Sequence, residues 1–352
     1  MTEEMKRKFE INQLIRPSVS SLKPYSSARD EYVSDGGSMV FLDANESPYE
    51  NGVNRYPDPQ QKSLKAILAE KKGVALANIL LGNGSDEVLD LLFRAFCEPG
   101  KDNIVTLPPT YGMYEVLAGI NTIENRQVML KPGFQPDVAR ILGTADTQSK
   151  LLFLCSPNNP TANSFDKDLV LELLEKFPGL VVVDEAYIDF ANTESWVSRL
   201  GEWPNLVVIQ TLSKAYGMAG IRLGICYAST PIIEALNKIK PPYNVNGLTQ
   251  ARATKAVLDT VALEAAVSEI LKEREKLITQ LNDIPWVHEV FPTDANFILV
   301  KVDDAGGRYR QLLEKGIVVR NRSGLPLCDN TLRITVGTPD ENKLLTHVLN
   351  TL

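Results

Sequence analysis

Residues 210–224 read QTLSKAYGMAGIRLG and follow an apolar run at 206–209. A strand is therefore expected to run out at Gln210 into hydroxyls, a lone lysine, three glycines and an arginine. Lys214 sits between Ser213 and Ala215, away from any run of charge, so burial would lower its pKa. An amine freed of its proton attacks a carbonyl, which is what a Schiff base requires. Arg222 lies eight residues on, past a glycine-rich turn, and offers a fixed fork of donors suited to a phosphate. Read alone, Ser213-Lys214 is better explained as a surface dipeptide. The flanking chain has to decide.

Working outward, each neighbouring apolar run ends on a polar residue. A strand at 78–81 enters the turn GNGSDE (82–87) and then a helix carrying Val88, Leu89, Leu91, Leu92 and Phe96. The free backbone N–H groups of that helix start suit an anion, though an ordinary helix capped by Ser85 or Asp86 reads the same way. A strand at 103–106 ends at PPTYGMY (108–114), which delivers Tyr111 to a helix start. There its ring would stack on a planar ligand or simply pack. The run LLFLC (151–155) is continuous enough for a central parallel strand and stops at SPNNPT (156–161), with Asn159 held among prolines. The run LVVVDEAY (180–187) closes on Asp184 and Tyr187. Burial would raise the pKa of Asp184 unless a cation kept it ionised; a helix-capping role is the bland alternative.

Strands and helices thus alternate over 78–228. That pattern predicts an α/β fold with a mostly parallel sheet, helices on both faces and ligands at the carboxyl ends of the strands. Residues 83–87, Tyr111, Asn159, Asp184, Tyr187 and Lys214 all fall at such ends. One cofactor site explains them together, where the bland readings need a separate coincidence for each.

The remaining chain frames this unit. Residues 1–38 read as an arm in which prolines and glycines interrupt any helix. A short strand is expected at 39–43, and NRYPDP (54–59) is held extended by its prolines. The large domain is taken as 39–240. A long amphipathic helix at about 248–281 leads into a smaller C-terminal α+β domain, 241–352, with strands at 296–300 and 332–336. Arg320 and Arg333 each interrupt or close an apolar strand and are expected to meet an anion. Arg322, in the loop that follows, has the weaker claim.

Composition excludes several functions. The 352 residues are 44% hydrophobic with net charge −7 and a pI near 5.2, which argues against a nucleic-acid surface. No apolar run approaches the ~20 residues of a membrane helix, and residues 1–8 lack an apolar signal core. Four scattered cysteines without a CxxC pair read as reduced thiols of a cytoplasmic protein. Two histidines without motif context argue against a metal site and against Ser-His-Asp or Cys-His hydrolysis.

From about residue 20 onward the chain resembles the fold-type I pyridoxal-phosphate aminotransferases. The likeness rests on GNGSDE, PPTYGMY, SPNNPT, DEAY (184–187) and TLSKAYGMAGIRLG (211–224) in that order. It implies that Lys214 carries the cofactor and shuttles the proton during catalysis, and that Asp184 pairs with the pyridinium nitrogen. It also implies that Asn159 and Tyr187 bond the ring's phenolic oxygen while Tyr111 stacks on the ring. The cofactor phosphate would be held by Ser85, Asp86, Thr211, Ser213 and Arg222, with Tyr56 reaching it from a second subunit of a homodimer. One departure is Ala162, where the family usually has glycine and where φ > 0 would strain alanine mildly. Within the family, LKPY (22–25), LDANESP (42–48), RYPDP (55–59) and LRITVGT (332–338) resemble the branch of histidine biosynthesis. That branch moves an amino group between L-histidinol phosphate and 2-oxoglutarate. Tyr25, Arg320 and Arg333 would then hold an anion that alternates between phosphate and carboxylate. Aromatic amino-acid transamination, phosphothreonine-type decarboxylation and a non-enzymatic regulator on the same fold are the rivals; the acidic balance argues against a DNA-binding regulator, and the intact lysine, aspartate and arginine set against an inactive one.

Overall fold

Three successive runs, Leu180–Asp184 (β5), Leu206–Thr211 (β6) and Leu223–Ala228 (β7), are buried at every position. Strands covered on both faces belong at the centre of a sheet. In the computed structural model, which describes residues 10–24 and 40–352, that is where they lie. The other strands of this sheet are Ile79–Asn83 (β1), Asn103–Thr106 (β2), Glu124–Gln127 (β3) and Ser149–Cys155 (β4). Among the described residues, seven strands are ordered β1-β7-β6-β5-β4-β2-β3. The pairs β2–β3, β2–β4, β4–β5 and β5–β6 are parallel. Strand β7 runs antiparallel to both β6 and β1. Side chains alternate between two cores: Val181 and Val183 face one, Leu180 and Val182 the other.

The antiparallel strand matters for function. Its amino end, not its carboxyl end, meets the carboxyl ends of its neighbours β1 and β6, with Gly224 opposite Thr211 and Gly82. Arg222, just before β7, therefore arrives at the same edge as the residues that follow the parallel strands. The helix Ser85–Phe96 starts there too, with seven of its twelve residues buried.

The second sheet contains Val287–Val290 (β8), Phe297–Val302 (β9), Arg320–Asn321 (β10) and Thr331–Thr335 (β11), ordered β10-β11-β9-β8 and wholly antiparallel. It packs a third core against the helices Thr260–Asn282, Ala305–Glu314 and Pro339–Leu349.

Three expectations are corrected. The segment 40–43 forms no strand, and Val40 and Leu42 are 83% and 87% exposed. The long helix at 248–281 is two helices, Gly247–Leu258 and Thr260–Asn282, because the Asp259 side chain accepts the Ala262 N–H and starts the second. The described part of the arm holds two helical turns, Ile11–Leu14 and Pro17–Ser20. Burial of Ile11 and Val19 and an Arg16–Glu98 ion pair at 3.2 Å fasten it to the layers around the first sheet.

Gly224 lets β7 touch the helix start: a Cβ there would lie 2.3 Å from Ser85 N and 2.4 Å from Gly84 C. Neither backbone atom can swing aside. Gly224→Ala should cost roughly 1–3 kcal/mol of stability in chemical denaturation. Gly220→Ala, which meets nothing within 4 Å, should stay within about 0.5 kcal/mol.

Candidate active site

The carboxyl edge of the first sheet opens into a cleft of about 650 Å³. Ser85, Asp86, Tyr111, Asn159, Asp184, Tyr187, Thr211, Ser213, Lys214, Arg222, Arg320 and Arg333 all line it. Tyr25 lies outside the described residues. Tyr56 is not brought in: it is 52% exposed and stacks on Tyr243 with ring centroids 4.5 Å apart.

Lys214 stands in the loop after β6, with Nζ 5.4 Å from the centre of the Tyr187 ring. Burial, then the Arg333 charge, pushes its pKa below the ordinary lysine value, against an opposing pull from Asp184. The lowered proton affinity is the condition for a nucleophilic amine. Tyr187 is itself wedged edge-on against Phe297, centroids 5.1 Å apart.

Asp184 ends β5 with 3% exposure. Its Oδ1 accepts the Ala186 N–H at 3.2 Å and its Oδ2 the Tyr114 hydroxyl at 2.8 Å. Burial outweighs both donors and raises its pKa to about 6. Tyr114 was missed at the level of sequence, although it closes the PPTYGMY motif. Its ring is fully buried, stacked on Phe153 at 4.7 Å and edge-on to Tyr111 at 5.6 Å. One short segment thus sends Tyr114 to Asp184 and Tyr111 to Asp86, whose Oδ1 accepts the Tyr111 hydroxyl at 3.1 Å.

At the other side of the lysine is an anion cradle. Gly84 has φ +81°, and a Cβ there would sit 2.5 Å from Arg222 Nη2, so only glycine leaves that guanidinium its place. Ser85 opens the helix behind it, where backbone N–H groups lack helical partners. The Thr211 hydroxyl donates to Leu223 O at 3.1 Å and accepts the Ser213 N–H at 3.1 Å, fixing the turn. Arg222 donates to Ala219 O at 3.3 Å and reaches Asp86 at 3.5 Å, while its side chain stays 46% exposed and lines the cleft.

The far wall is cationic. Arg333 donates to Asn159 Oδ1 and lies over the Phe297 ring at 5.2 Å. Arg320 faces it across the β10–β11 ladder. Arg322, given the weaker claim by sequence, also lines the cleft and is less exposed than Arg320.

Residues 40–349 match the family model for class I and II aminotransferases. A histidinol-phosphate aminotransferase of Flavobacterium johnsoniae is 60% identical over 345 residues, covering 98% of this chain and 99% of the relative. The chain belongs to the class I and II aminotransferase family. Among solved structures, the histidinol-phosphate aminotransferase from Clostridium acetobutylicum superposes with TM-score 0.79 at 25% identity, over 85% of this chain and 90% of that one. The Sinorhizobium meliloti enzyme of the same name, solved in complex with pyridoxal-5'-phosphate, gives TM-score 0.78 at 26% identity over 84% and 82%.

In this aminotransferase Ala162 adopts φ +67° while fully buried, so the turn that sequence expected there is left-handed. An alanine in that region costs roughly 1–2 kcal/mol. Its methyl group packs in the cluster that holds Tyr187, Ala215 and Phe297.

Asp184 carries a pH signature. Its folded pKa of about 6 exceeds the ordinary 3.8, so the cofactor-free fold holds this proton more tightly than the unfolded chain. The resulting stabilisation is complete below pH ~4 and is lost as pH rises through ~6. Asp184→Asn should therefore match wild type at low pH and exceed its cofactor-free stability at pH 7 by about 3 kcal/mol. Denaturation of the two apoproteins across pH 4–7 reads this difference directly; a constant difference would refute the burial argument.

Proposed function

We propose that this aminotransferase transfers an amino group between L-histidinol phosphate and 2-oxoglutarate, giving imidazole acetol phosphate and glutamate in L-histidine biosynthesis, with pyridoxal 5'-phosphate as cofactor. The observation that carries the reading is one cleft holding a lysine of lowered proton affinity between an anion cradle and a buried acid, with a separate arginine wall opposite. Relatives of that name at 60% identity over nearly the whole chain support the substrate assignment.

The residues present fit the cofactor by their own chemistry. The backbone at Ser85 and Asp86, Thr211, Ser213 and Arg222 would hold its phosphate, and the space that a Cβ at Gly84 would fill is part of that cradle. Asp184, whose burial makes its lone charge costly, gains most from a cationic ring nitrogen beside it. Tyr111 would cover one ring face, and Asn159 and Tyr187 would face the ring's oxygen substituent. When bound, pyridoxal phosphate supplies an aldehyde for the amino group and a ring that withdraws electrons. Lys214 would hold the cofactor through its aldehyde carbon and, as a free amine once the substrate's amino group has taken that place, would move the proton at the substrate's Cα. Arg333, with Arg320, orients the substrate's anionic group away from the cradle, so two anions of one complex bind at opposite walls. Tyr25 would close over the substrate from the arm.

The site is expected to be shared in a homodimer. Val40, Leu42, Tyr49, Val53 and Tyr56 are all exposed within residues 40–56, a run of apolar side chains that fits burial against a second copy. Tyr56 would then reach the second copy's cofactor phosphate. Four buried free thiols fit a reducing cytoplasmic location.

Two experiments test this reading. Purified protein should absorb near the visible–ultraviolet boundary, and Lys214→Ala should abolish that band along with turnover; an unchanged spectrum would reject the lysine. In single-turnover spectral titrations, histidinol phosphate should convert the cofactor at far lower concentration than phenylalanine, tyrosine or histidine. Preference for an amino acid over the phosphate ester would overturn the substrate assignment.

A further inference from the structure

The arginine wall carries more charge than a carboxylate needs. In β10 and its continuation, side chains alternate between faces, so Arg320 and Arg322 share one. The ladder extends past β10, since Arg322 N donates to Thr331 O at 2.9 Å. Register places Arg333 directly opposite Arg320. Three guanidinium groups therefore converge on one wall of the cleft. Like charges paired across strands are unfavourable, and among the described residues none of the three has a carboxylate within ion-pair distance. Arg333 uses one donor on Asn159. Among the described residues Arg322 has no side-chain hydrogen bond, and its Nε is buried without a partner.

An unpartnered buried donor is costly unless a ligand completes it. A carboxylate has one charge and two oxygens, which a single bidentate arginine satisfies. A phosphate monoester near pH 7 carries close to two charges on three free oxygens and needs more than one fork. Resting on the substrate reading above, we propose that Arg322 is a specificity-determining residue: it supplies the additional donors and charge that let this wall hold a phosphate dianion, while Arg333 and Arg320 suffice for carboxylates.

The discriminating comparison uses the two natural amino donors on the holoenzyme. Arg322→Gln should raise the KM for histidinol phosphate on the order of 10- to 100-fold, the range of a lost charge-assisted hydrogen bond, with kcat little changed. The half-reaction with glutamate should change less than threefold, and cofactor absorbance should be intact. Arg322→Lys, which restores charge without the fork, should recover part of the lost affinity for the phosphate ester. Equal losses for both donors would assign Arg322 a general structural role, and no loss for histidinol phosphate would remove it from the site. Failure of the substrate reading looks different: wild-type enzyme would then show no preference for histidinol phosphate at all.

Discussion

A carboxylate buried at the end of an apolar strand is the constraint on which the rest of this site depends. Asp184 has a backbone N–H and a tyrosine hydroxyl for company, yet burial still holds its pKa near 6. With no cation within ion-pair distance of its oxygens among the described residues, that arrangement is unfavourable at neutral pH. In the proposed function it is one half of an ion pair whose other half would arrive with the cofactor. Lys214 is biased in the complementary direction, toward the neutral amine, by burial and by the Arg333 charge. At neutral pH both shifts cost the fold stability, and both would suit a bound cofactor.

Topology explains how residues from so many segments meet. Parallel strands end at one edge of a sheet, so Asp184 at the end of β5 and the Leu212–Lys214 loop after β6 come together with the helix that starts at Ser85. Arg222 reaches them only because β7 reverses direction and presents its amino end there. The close approach at Gly224 then locks β7 to the helix start. The second sheet adds the opposite wall, where cross-strand register rather than sequence proximity brings Arg320 and Arg333 together.

The sequence made the central sheet legible because strands buried on both faces are unbroken apolar runs, as at 180–183 and 206–209. Edge strands gave no such signal: β3 is Glu-Asn-Arg-Gln, and β10 is two polar residues. The apolar residues at 40–43 read as a strand but lie exposed in the single chain, so their hydrophobicity serves no internal sheet. The helix at 248–281 looked continuous because its amphipathic spacing persists across the Asp259 break. Within the site, residues placed by local motifs were readable. Tyr114 was not, since its hydroxyl partner lies 70 positions away. Arg322 was undervalued because its loop position hides a ladder bond to Thr331.

The most direct test of this account is the protonation of Asp184 itself. Carbonyl-selective ¹³C labelling and NMR titration should find its carboxyl group titrating near pH 6 in cofactor-free protein. With pyridoxal phosphate bound, the same resonance should remain that of an ionised carboxylate well below that pH. Identical titrations in the two forms would contradict the claim that this buried acid exists to pair with the cofactor.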